Sequence, residues 1–184
     1  MRVIAGEFRS RKIIPVPGFE TRPTSDRLRE TLFNILNPLL AGAVFVDGYA
    51  GTGAVGIEAL SRGARHAVFI EKSKTALEVL QQNIAALKLE YRSRVIRGLV
   101  PMHLAGIPAD IVFLDPPYES ERDYLASMEA LEPHPPALTV VQHSVRFALE
   151  DQYGPMRRTR LLKQGENALS FYKFSEGVAT GSLE

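Results

Sequence analysis

Residues 47–56 have the sequence Asp-Gly-Tyr-Ala-Gly-Thr-Gly-Ala-Val-Gly and follow a short apolar segment, residues 43–46, that predicts a buried strand. Gly51, Gly53 and Gly56 have the spacing G-x-G-x-x-G. Glycines at this spacing permit a tight turn and let a ligand approach the backbone at the N-terminus of a helix. The stretch therefore predicts a strand–turn–helix unit that binds a nucleotide-like ligand.

Strand and helix patterns alternate along the chain beyond this turn. The predicted strands are residues 43–46, 66–70, 94–96, 111–114 and 138–141, and the predicted helices are residues 54–61, 74–87 and about 124–131. This succession implies a mostly parallel sheet with helices on both faces and right-handed crossovers. Residues 158–162 and 168–174, separated by a loop that contains Gly165, predict an antiparallel hairpin at the sheet edge. The predicted fold class is α/β and Rossmann-like.

Two carboxylates frame the glycine turn. Asp47 ends the first strand, and Glu71 ends the next one, where a carboxylate would accept hydrogen bonds from both ribose hydroxyls. Asp47 would oppose the pyrophosphate of a nicotinamide dinucleotide but favour the ammonium and sulfonium of S-adenosylmethionine. A dehydrogenase would also need a substrate domain, and little chain remains to build one. S-adenosyl-L-methionine is therefore the predicted cofactor, and its expected contacts are Asp47, Tyr49, Gly51, Thr52, Gly53, Glu71 and Lys72. A loop cap and a solvated strand end remain the alternatives for the two acids.

A second turn, Asp115-Pro116-Pro117-Tyr118, follows the apolar strand at residues 111–114. Proline lacks an N–H and restricts the residue before it to extended geometry, so these residues stay out of the next helix. The carboxylate of Asp115 and the carbonyl of Pro116 can accept the two N–H groups of an exocyclic amine, while the ring of Tyr118 stacks on the base. All four residues are predicted to be catalytic. The alternative is a stiff loop whose aspartate caps a helix.

Composition limits the other possibilities. The 184 residues, 45% hydrophobic and 23% charged, suit a globular domain. The absence of cysteine excludes disulfides, thiolate metal sites and thiol nucleophiles, and it fits a reducing cytoplasm. There is no secretory segment and no apolar run long enough to span a bilayer, so we expect a cytoplasmic protein with no membrane partner. The four histidines lack ligand-like spacing, and no metal is predicted.

Several blocks of sequence together resemble one known family. They are Arg2–Gly6, Thr21–Arg27, Glu30–Asn34, Asp47–Gly63, Asp115–Tyr118 and Leu169–Tyr172. Over nearly the whole chain they resemble the RsmD-type ribosomal RNA guanine-N2 methyltransferases. The N-terminal block is specific to this family, whereas the glycine turn and the Asp-Pro-Pro-Tyr turn are shared with DNA adenine methylases and other amino-methylating enzymes.

The resemblance implies a class I methyltransferase fold and methyl transfer to the exocyclic N2 amine of a guanine in small-subunit (16S) ribosomal RNA. The substrate would be the RNA alone or the RNA within an assembled or assembling small subunit, and we expect a monomer. The alternatives are an amine methyltransferase acting on DNA or protein, and a protein that binds S-adenosylmethionine with weak catalysis.

Basic residues are concentrated near both ends of the chain, in residues 1–24 and in residues 156–165. Two such patches could form one surface for a polyanion, although solvated faces balanced by acids elsewhere would look the same. The expected RNA contacts are Arg9, Arg11, Lys12, Arg22 and Arg27. We expect residues 1–40 to form a β-hairpin and a helix that dock RNA, residues 41–176 to form the methyltransferase domain, and residues 177–184 to be a disordered tail.

Three positions depart from the family pattern. Leu99 stands where the family usually has an aspartate, so it can pack against the adenine ring of the cofactor but cannot accept from its amine. Gln142 replaces a glutamate after the fifth strand, and Gln164 replaces a tyrosine. A hydrogen bond contributes about 1 kcal/mol, so the missing acceptor at Leu99 is expected to weaken cofactor binding rather than abolish it.

Overall fold

An eight-stranded sheet forms the centre of the computed structural model, which describes residues 1–17 and 26–175. The strands are β1 Val44–Gly48, β2 His66–Glu71, β3 Ser93–Arg97, β4 Ile111–Leu114, β5 Leu138–Ser144, β6 Gln152–Tyr153, β7 Met156–Gln164 and β8 Asn167–Phe174. The helices are α1 Asp26–Leu40, α2 Ala54–Ser61, α3 Lys74–Ala86, α4 Val100–Leu104 and α5 Glu121–Leu131, and a 3₁₀ turn covers Glu90–Arg92.

The strand order is β3-β2-β1-β4-β5-β8-β7-β6. Strands β1 to β5 pair in parallel, and β8, β7 and β6 add antiparallel pairs at one side. The predicted α/β sheet with an antiparallel C-terminal hairpin is therefore confirmed. The order reverses at β1, which lies between β2 and β4, and such a switch point opens a crevice at the carboxyl ends of the strands. Below, this end of the sheet is called the carboxyl edge, and the other end the amino edge.

Helices cover both faces of the sheet. On one face, Phe45, Phe69 and Phe113 pack with α1, α2 and α3. On the other face, Val46 and Val112 pack with α4 and α5. Alternate residues of each central strand thus enter opposite cores, which explains why these strands are apolar throughout.

The N-terminal segment is a short antiparallel hairpin without regular strands. Its two arms share a single antiparallel bridge, between Arg2 and Lys12, and form no strands. Val3 N–H donates to the carbonyl of Arg11 at 2.9 Å, and Ile13 N–H donates to the carbonyl of Met1 at 3.0 Å. Other backbone groups bond to side chains of α2 and α3: Ile4 N–H donates to Glu58 at 2.8 Å, and Ile14 N–H donates to Asn83 at 2.8 Å. Pairing between the two arms and bonds to the helical side chains together hold the segment against α2 and α3.

The division into a docking extension and a catalytic domain stays a prediction, as does the tail at residues 177–184, which lies outside the described residues. Among residues 1–17 and 26–175, no helix is both long and apolar enough to cross a membrane.

Candidate active site at the carboxyl edge

The glycine turn joins β1 to α2. Gly53 precedes the helix in the left-handed conformation, with φ of 79°. A Cβ at Gly53 would lie 2.3 Å from Leu80 Cδ1, and one at Gly56 would lie 2.3 Å from Phe69 Cε1. Neighbouring side chains therefore leave no room for a side chain at either position. A Cβ at Gly51 would meet nothing within 4 Å. The space above Gly51 is therefore open to a ligand that approaches the backbone.

Asp47 and Glu71 both hold this turn. Asp47 is 2% exposed, and its Oδ2 accepts the N–H of Gly56 at 2.8 Å. Glu71 accepts the N–H of Gly51 at 2.9 Å through Oε2, and those of Lys72 and Ser73 at 2.8 Å through Oε1. A carboxylate has about four acceptor sites, so Glu71 retains capacity for a hydroxyl donor.

The negative charge at this edge is concentrated. Burial raises the pKa of Asp47 well above its ordinary value, the bond from Gly56 N–H lowers it in part, and the charges of Asp115 and Glu71 raise it further. A cationic group placed among these carboxylates would relieve their repulsion. Within the described residues, no group of three or more His, Asp or Glu side chains is arranged to hold a metal ion.

The remaining predicted cofactor contacts are Tyr49, Thr52, Lys72 and Leu99, and they differ in burial and in hydrogen bonding. The Tyr49 hydroxyl is 2.8 Å from Ser127 Oγ and donates to the carbonyl of Asp123 at 3.3 Å, so α5 engages it. Burial raises the pKa of Tyr49 to about 12. Leu99 precedes α4 and is 49% exposed, and Lys72 is exposed beside Glu71. Thr52 Oγ1 accepts the N–H of Ala54 at 3.3 Å, at the start of α2.

The Asp115–Tyr118 turn begins beside the glycine turn. Gly48 pairs with Leu114 at the ends of β1 and β4, and the N–H of Asp115 lies 3.4 Å from the carbonyl of Gly48. The carbonyl of Pro116 accepts a hydrogen bond at 3.3 Å from the hydroxyl of Tyr124, which is buried in α5. A carbonyl has two lone pairs, so Pro116 can still accept a second donor.

The hydroxyl of Tyr118 is held from the hairpin side. It donates to Asn167 Oδ1 at 2.5 Å and accepts from Gln142 Nε2 at 3.3 Å. Gln142 thereby gains a role here: its amide donates to the phenol oxygen, and the phenol proton goes to Asn167. Sequence reasoning missed Asn167, Tyr124 and Ser127. No local pattern marks Asn167, because Tyr118 lies 49 positions away in the chain.

The predicted RNA contacts lie at both edges of the sheet. Arg9, Arg11 and Lys12 are exposed near the C-terminal ends of α2 and α3, where Arg11 donates to the carbonyl of Ala86 at 3.2 Å. That is the amino edge, and β1, with five residues, separates it from the glycine turn by roughly 16 Å. Arg27 is exposed at the carboxyl edge, one helical turn before Thr31, whose hydroxyl donates to Gln164 at 3.3 Å. Arg22 lies outside the described residues.

Comparison with known proteins adds to this geometry. A family model described as "Conserved hypothetical protein 95" matches residues 1–173. "Putative rRNA methyltransferase YlbH" of Bacillus subtilis is 31% identical over 94% of this chain and 98% of its own length. "Ribosomal RNA small subunit methyltransferase D" of Escherichia coli is 46% identical over 64% of this chain and 60% of its own length.

The fold is also similar to solved structures. "Putative methyltransferase yhhF from Escherichia coli" is 36% identical, with a TM-score of 0.81, over 95% of this chain and 98% of that one. The Thermus hypothetical protein TTHA0928 is 28% identical, with a TM-score of 0.76, over 94% of this chain and 99% of that one. The sheet described above is thus a class I methyltransferase fold.

Proposed function

This chain belongs to the RsmD-type methyltransferase family, and from that premise we propose that it methylates the exocyclic N2 amine of a guanine in small-subunit ribosomal RNA, with S-adenosylmethionine as the methyl donor. The observation that carries the proposal is the meeting of two turns at the switch point of the sheet. The glycine turn and the Asp115–Tyr118 turn leave adjacent parallel strands, with Gly48 paired to Leu114. One ligand can therefore contact both turns.

The carboxyl edge fits this cofactor. The open space above Gly51 admits a ligand against the backbone, and Glu71 retains acceptor capacity for one ribose hydroxyl. The uncompensated charge around Asp47 suits a cationic ligand, which Asp47, being buried, would attract through the field rather than by direct contact. Tyr49, Thr52 and Gly53 would shape the turn, and Lys72 and Leu99 would flank the nucleoside. When bound, the cofactor supplies an electrophilic methyl group.

Catalysis by the chain itself would be mainly positioning. The guanine amine is a poor nucleophile because its lone pair is delocalised into the ring, so alignment contributes most of the rate. Asp115 and the carbonyl of Pro116 accept its two N–H groups and stabilise the positive charge that develops on nitrogen. The hydroxyl of Tyr124 fixes that carbonyl, the stiff Pro117 fixes the turn, and the ring of Tyr118 stacks on the base.

The RNA would be held at more than one place. A paired base cannot reach the carboxyl edge, so the target guanine must be turned out of its helix or lie in a single strand. Arg27 lies at this edge and would contact nearby phosphates, whereas Arg9, Arg11 and Lys12 would contact a more distant part of the same RNA. We place Arg22 in the same role from the sequence, and we propose that the chain acts as a monomer.

Labelled methyl transfer tests the proposal. The chain is incubated with labelled S-adenosylmethionine and, separately, with protein-free small-subunit RNA, assembled small subunits and DNA, and the products are digested to nucleosides. N2-methylguanosine from RNA or subunits is the expected product. Label in DNA or protein would favour another amine methyltransferase. Saturable binding of S-adenosylhomocysteine without transfer to any substrate would favour a cofactor-binding protein with weak catalysis.

A further inference from the structure

A cavity of about 380 Å³ opens beside the Asp115–Tyr118 turn. Its lining residues are Tyr118, Glu119, Glu121, Ser144, Arg146, Phe147 and Glu166, which come from that turn, the start of α5, the end of β5 and the β7–β8 turn. A volume of this size is typical of small-ligand pockets. Resting on the proposed function, we propose that this cavity receives the target base, and that Glu166 and Arg146 select guanine.

The two aromatic rings of the cavity are held in place before any ligand arrives. Tyr118 is bonded to Asn167 and Gln142 through its hydroxyl. Phe147 packs on the ring of Tyr124, with 4.8 Å between ring centroids. Rings fixed in this way offer stacking surfaces to a planar base at little entropic cost.

The charge of the cavity argues for a base rather than a phosphate. Three of its lining residues are glutamates, and Arg146 is its one basic residue. Carboxylates repel a phosphate but accept hydrogen bonds from the N–H groups of a neutral base. The cavity therefore suits the base itself, while the phosphates of the RNA remain outside it.

The placement of the charged groups matches guanine in particular. Arg146 Nη2 lies 3.8 Å from Glu166 Oε1, and both side chains are largely exposed, so a donor and an acceptor stand side by side where the cavity meets solvent. With the reactive amine at Asp115, guanine would present the N1–H donor next and then the O6 acceptor, so that Glu166 would accept from the first and Arg146 would donate to the second. Adenine and cytosine present a ring-nitrogen acceptor beside the amine, which would face a carboxylate and be rejected.

Single-turnover methylation by variants tests the assignment. Glu166→Gln and Arg146→Gln should each lower kcat/KM for small-subunit RNA by roughly 3- to 10-fold, since a hydrogen bond contributes about 1 kcal/mol and both side chains are largely exposed to solvent. The affinity for S-adenosylhomocysteine, measured by calorimetry, should not change. Glu129→Gln, at an exposed position of α5 outside the cavity, is the matched control and should act as wild type.

The outcomes separate this proposal from the proposed function. Wild-type transfer to guanine with unchanged kcat/KM in both cavity variants would overturn the cavity assignment and leave the proposed function standing. Methyladenosine as the main wild-type product would overturn both. A loss of activity confined to the cavity variants, with unchanged cofactor affinity and melting temperature, would support the cavity as the base site.

Discussion

Two buried carboxylates lie at opposite ends of α2, and their negative charges are compensated to different extents. Glu58, in the last turn of the helix, is fully buried and accepts the N–H groups of Ile4 at 2.8 Å and Ala5 at 3.0 Å. It also pairs with Arg62, whose Nε lies 2.7 Å from Glu58 Oε1. The negative charge of Glu58 is thus matched by a cation and by hydrogen-bond donors, and it ties the N-terminal segment to the catalytic fold.

Asp47 lies under the first turn of the same helix. It accepts one N–H, from Gly56, and forms no ion pair among the residues that the structure describes. Burial raises its pKa, and Asp115 and Glu71 add to the effect. The carboxylate at the C-terminal end of α2, Glu58, is therefore compensated by protein groups. The carboxylate at the N-terminal end, Asp47, is compensated less, and a cationic ligand at this edge would reduce the remaining repulsion. Four substitutions test this contrast.

The largest effect is expected for Glu58→Gln. The change leaves Arg62 buried without its anion and sets an amide N–H against a backbone N–H, and breaking a buried ion pair costs about 3–5 kcal/mol. Urea denaturation should show this loss in the free energy of unfolding. Glu78→Gln, which removes an exposed partner of Lys74 at 4.0 Å, should change it by less than about 1 kcal/mol. Equal losses in both variants would contradict the structural role of Glu58.

If Asp115 accepts from the reacting amine as proposed, Asp115→Ala should lower the single-turnover rate by about 10²–10³ with little change in melting temperature. The control lies at the other end of β4. Asp110 accepts the N–H of Val44 at 2.8 Å, so Asp110→Ala should lose stability but keep the rate per folded molecule. If Asp115→Ala behaves in the same way as Asp110→Ala, Asp115 is only a local cap.

Tyr118→Phe keeps the ring that would stack on the base but removes the hydroxyl, so it tests whether the ring alone is sufficient for activity. The hydroxyl bonds to Asn167 and Gln142, so its loss should lower kcat/KM about five- to tenfold, in line with about 1 kcal/mol for a hydrogen bond. Tyr172→Phe loses a comparable bond, to the carbonyl of Glu150 at 2.7 Å, but away from the site. It should lower the melting temperature and leave the kinetics intact. Wild-type kinetics for Tyr118→Phe would show that the tether is dispensable.

Asp47→Asn should have the smallest effect, with the opposite sign. Because the pKa of Asp47 is higher in the folded state than in the unfolded state, its contribution to stability is full below the unfolded pKa, near 4, and is lost as the pH rises through the folded value. The variant should therefore melt above wild type at neutral pH, and the difference should vanish near pH 4.

Melting curves from pH 4 to 8, with and without S-adenosylhomocysteine, measure both parts of this prediction. The ligand should raise the melting temperature of wild type more than that of Asp47→Asn, because its ammonium neutralises charge that the variant lacks. A variant that is less stable at neutral pH, or equally stabilised by the ligand, would show that the Asp47 charge serves the fold.

The alternating strands and helices could be predicted from the sequence because they are determined by local patterns of residues. Apolar runs such as residues 111–114 and glycine spacing at residues 51–56 are visible in short windows, and the parallel sheet follows from their alternation. The way the N-terminal hairpin is anchored could not be predicted, for the opposite reason. Two of the side chains that bond to its backbone, Glu58 and Asn83, lie more than 50 positions away, and nothing in the segment marks them.

The candidate site divides in the same way. Asp47, Gly51, Glu71 and the Asp115–Tyr118 turn could be placed together, since the carboxyl ends of parallel strands meet at one edge. The residues that orient these side chains could not be predicted from the sequence. Tyr124 and Asn167 contact the Asp115–Tyr118 turn from α5 and β8. The Tyr49 hydroxyl is oriented toward α5 by its hydrogen bond with Ser127. Such contacts depend on the packing of distant segments, which single-residue patterns do not encode.

Strand β7 carries a further consequence, for the behaviour of the protein in concentrated solution. One side of β7 pairs with β8 along its length, whereas on the other side, within residues 1–17 and 26–175, β6 pairs with Met156 and Arg157 and leaves the rest of the strand open. An open strand of this length invites a second molecule to extend the sheet. The irregularity between Arg158 and Arg160, together with the charge of Arg160 and Lys163, makes such pairing unfavourable. The residues that make this edge basic are thus expected to disfavour self-association through the sheet edge.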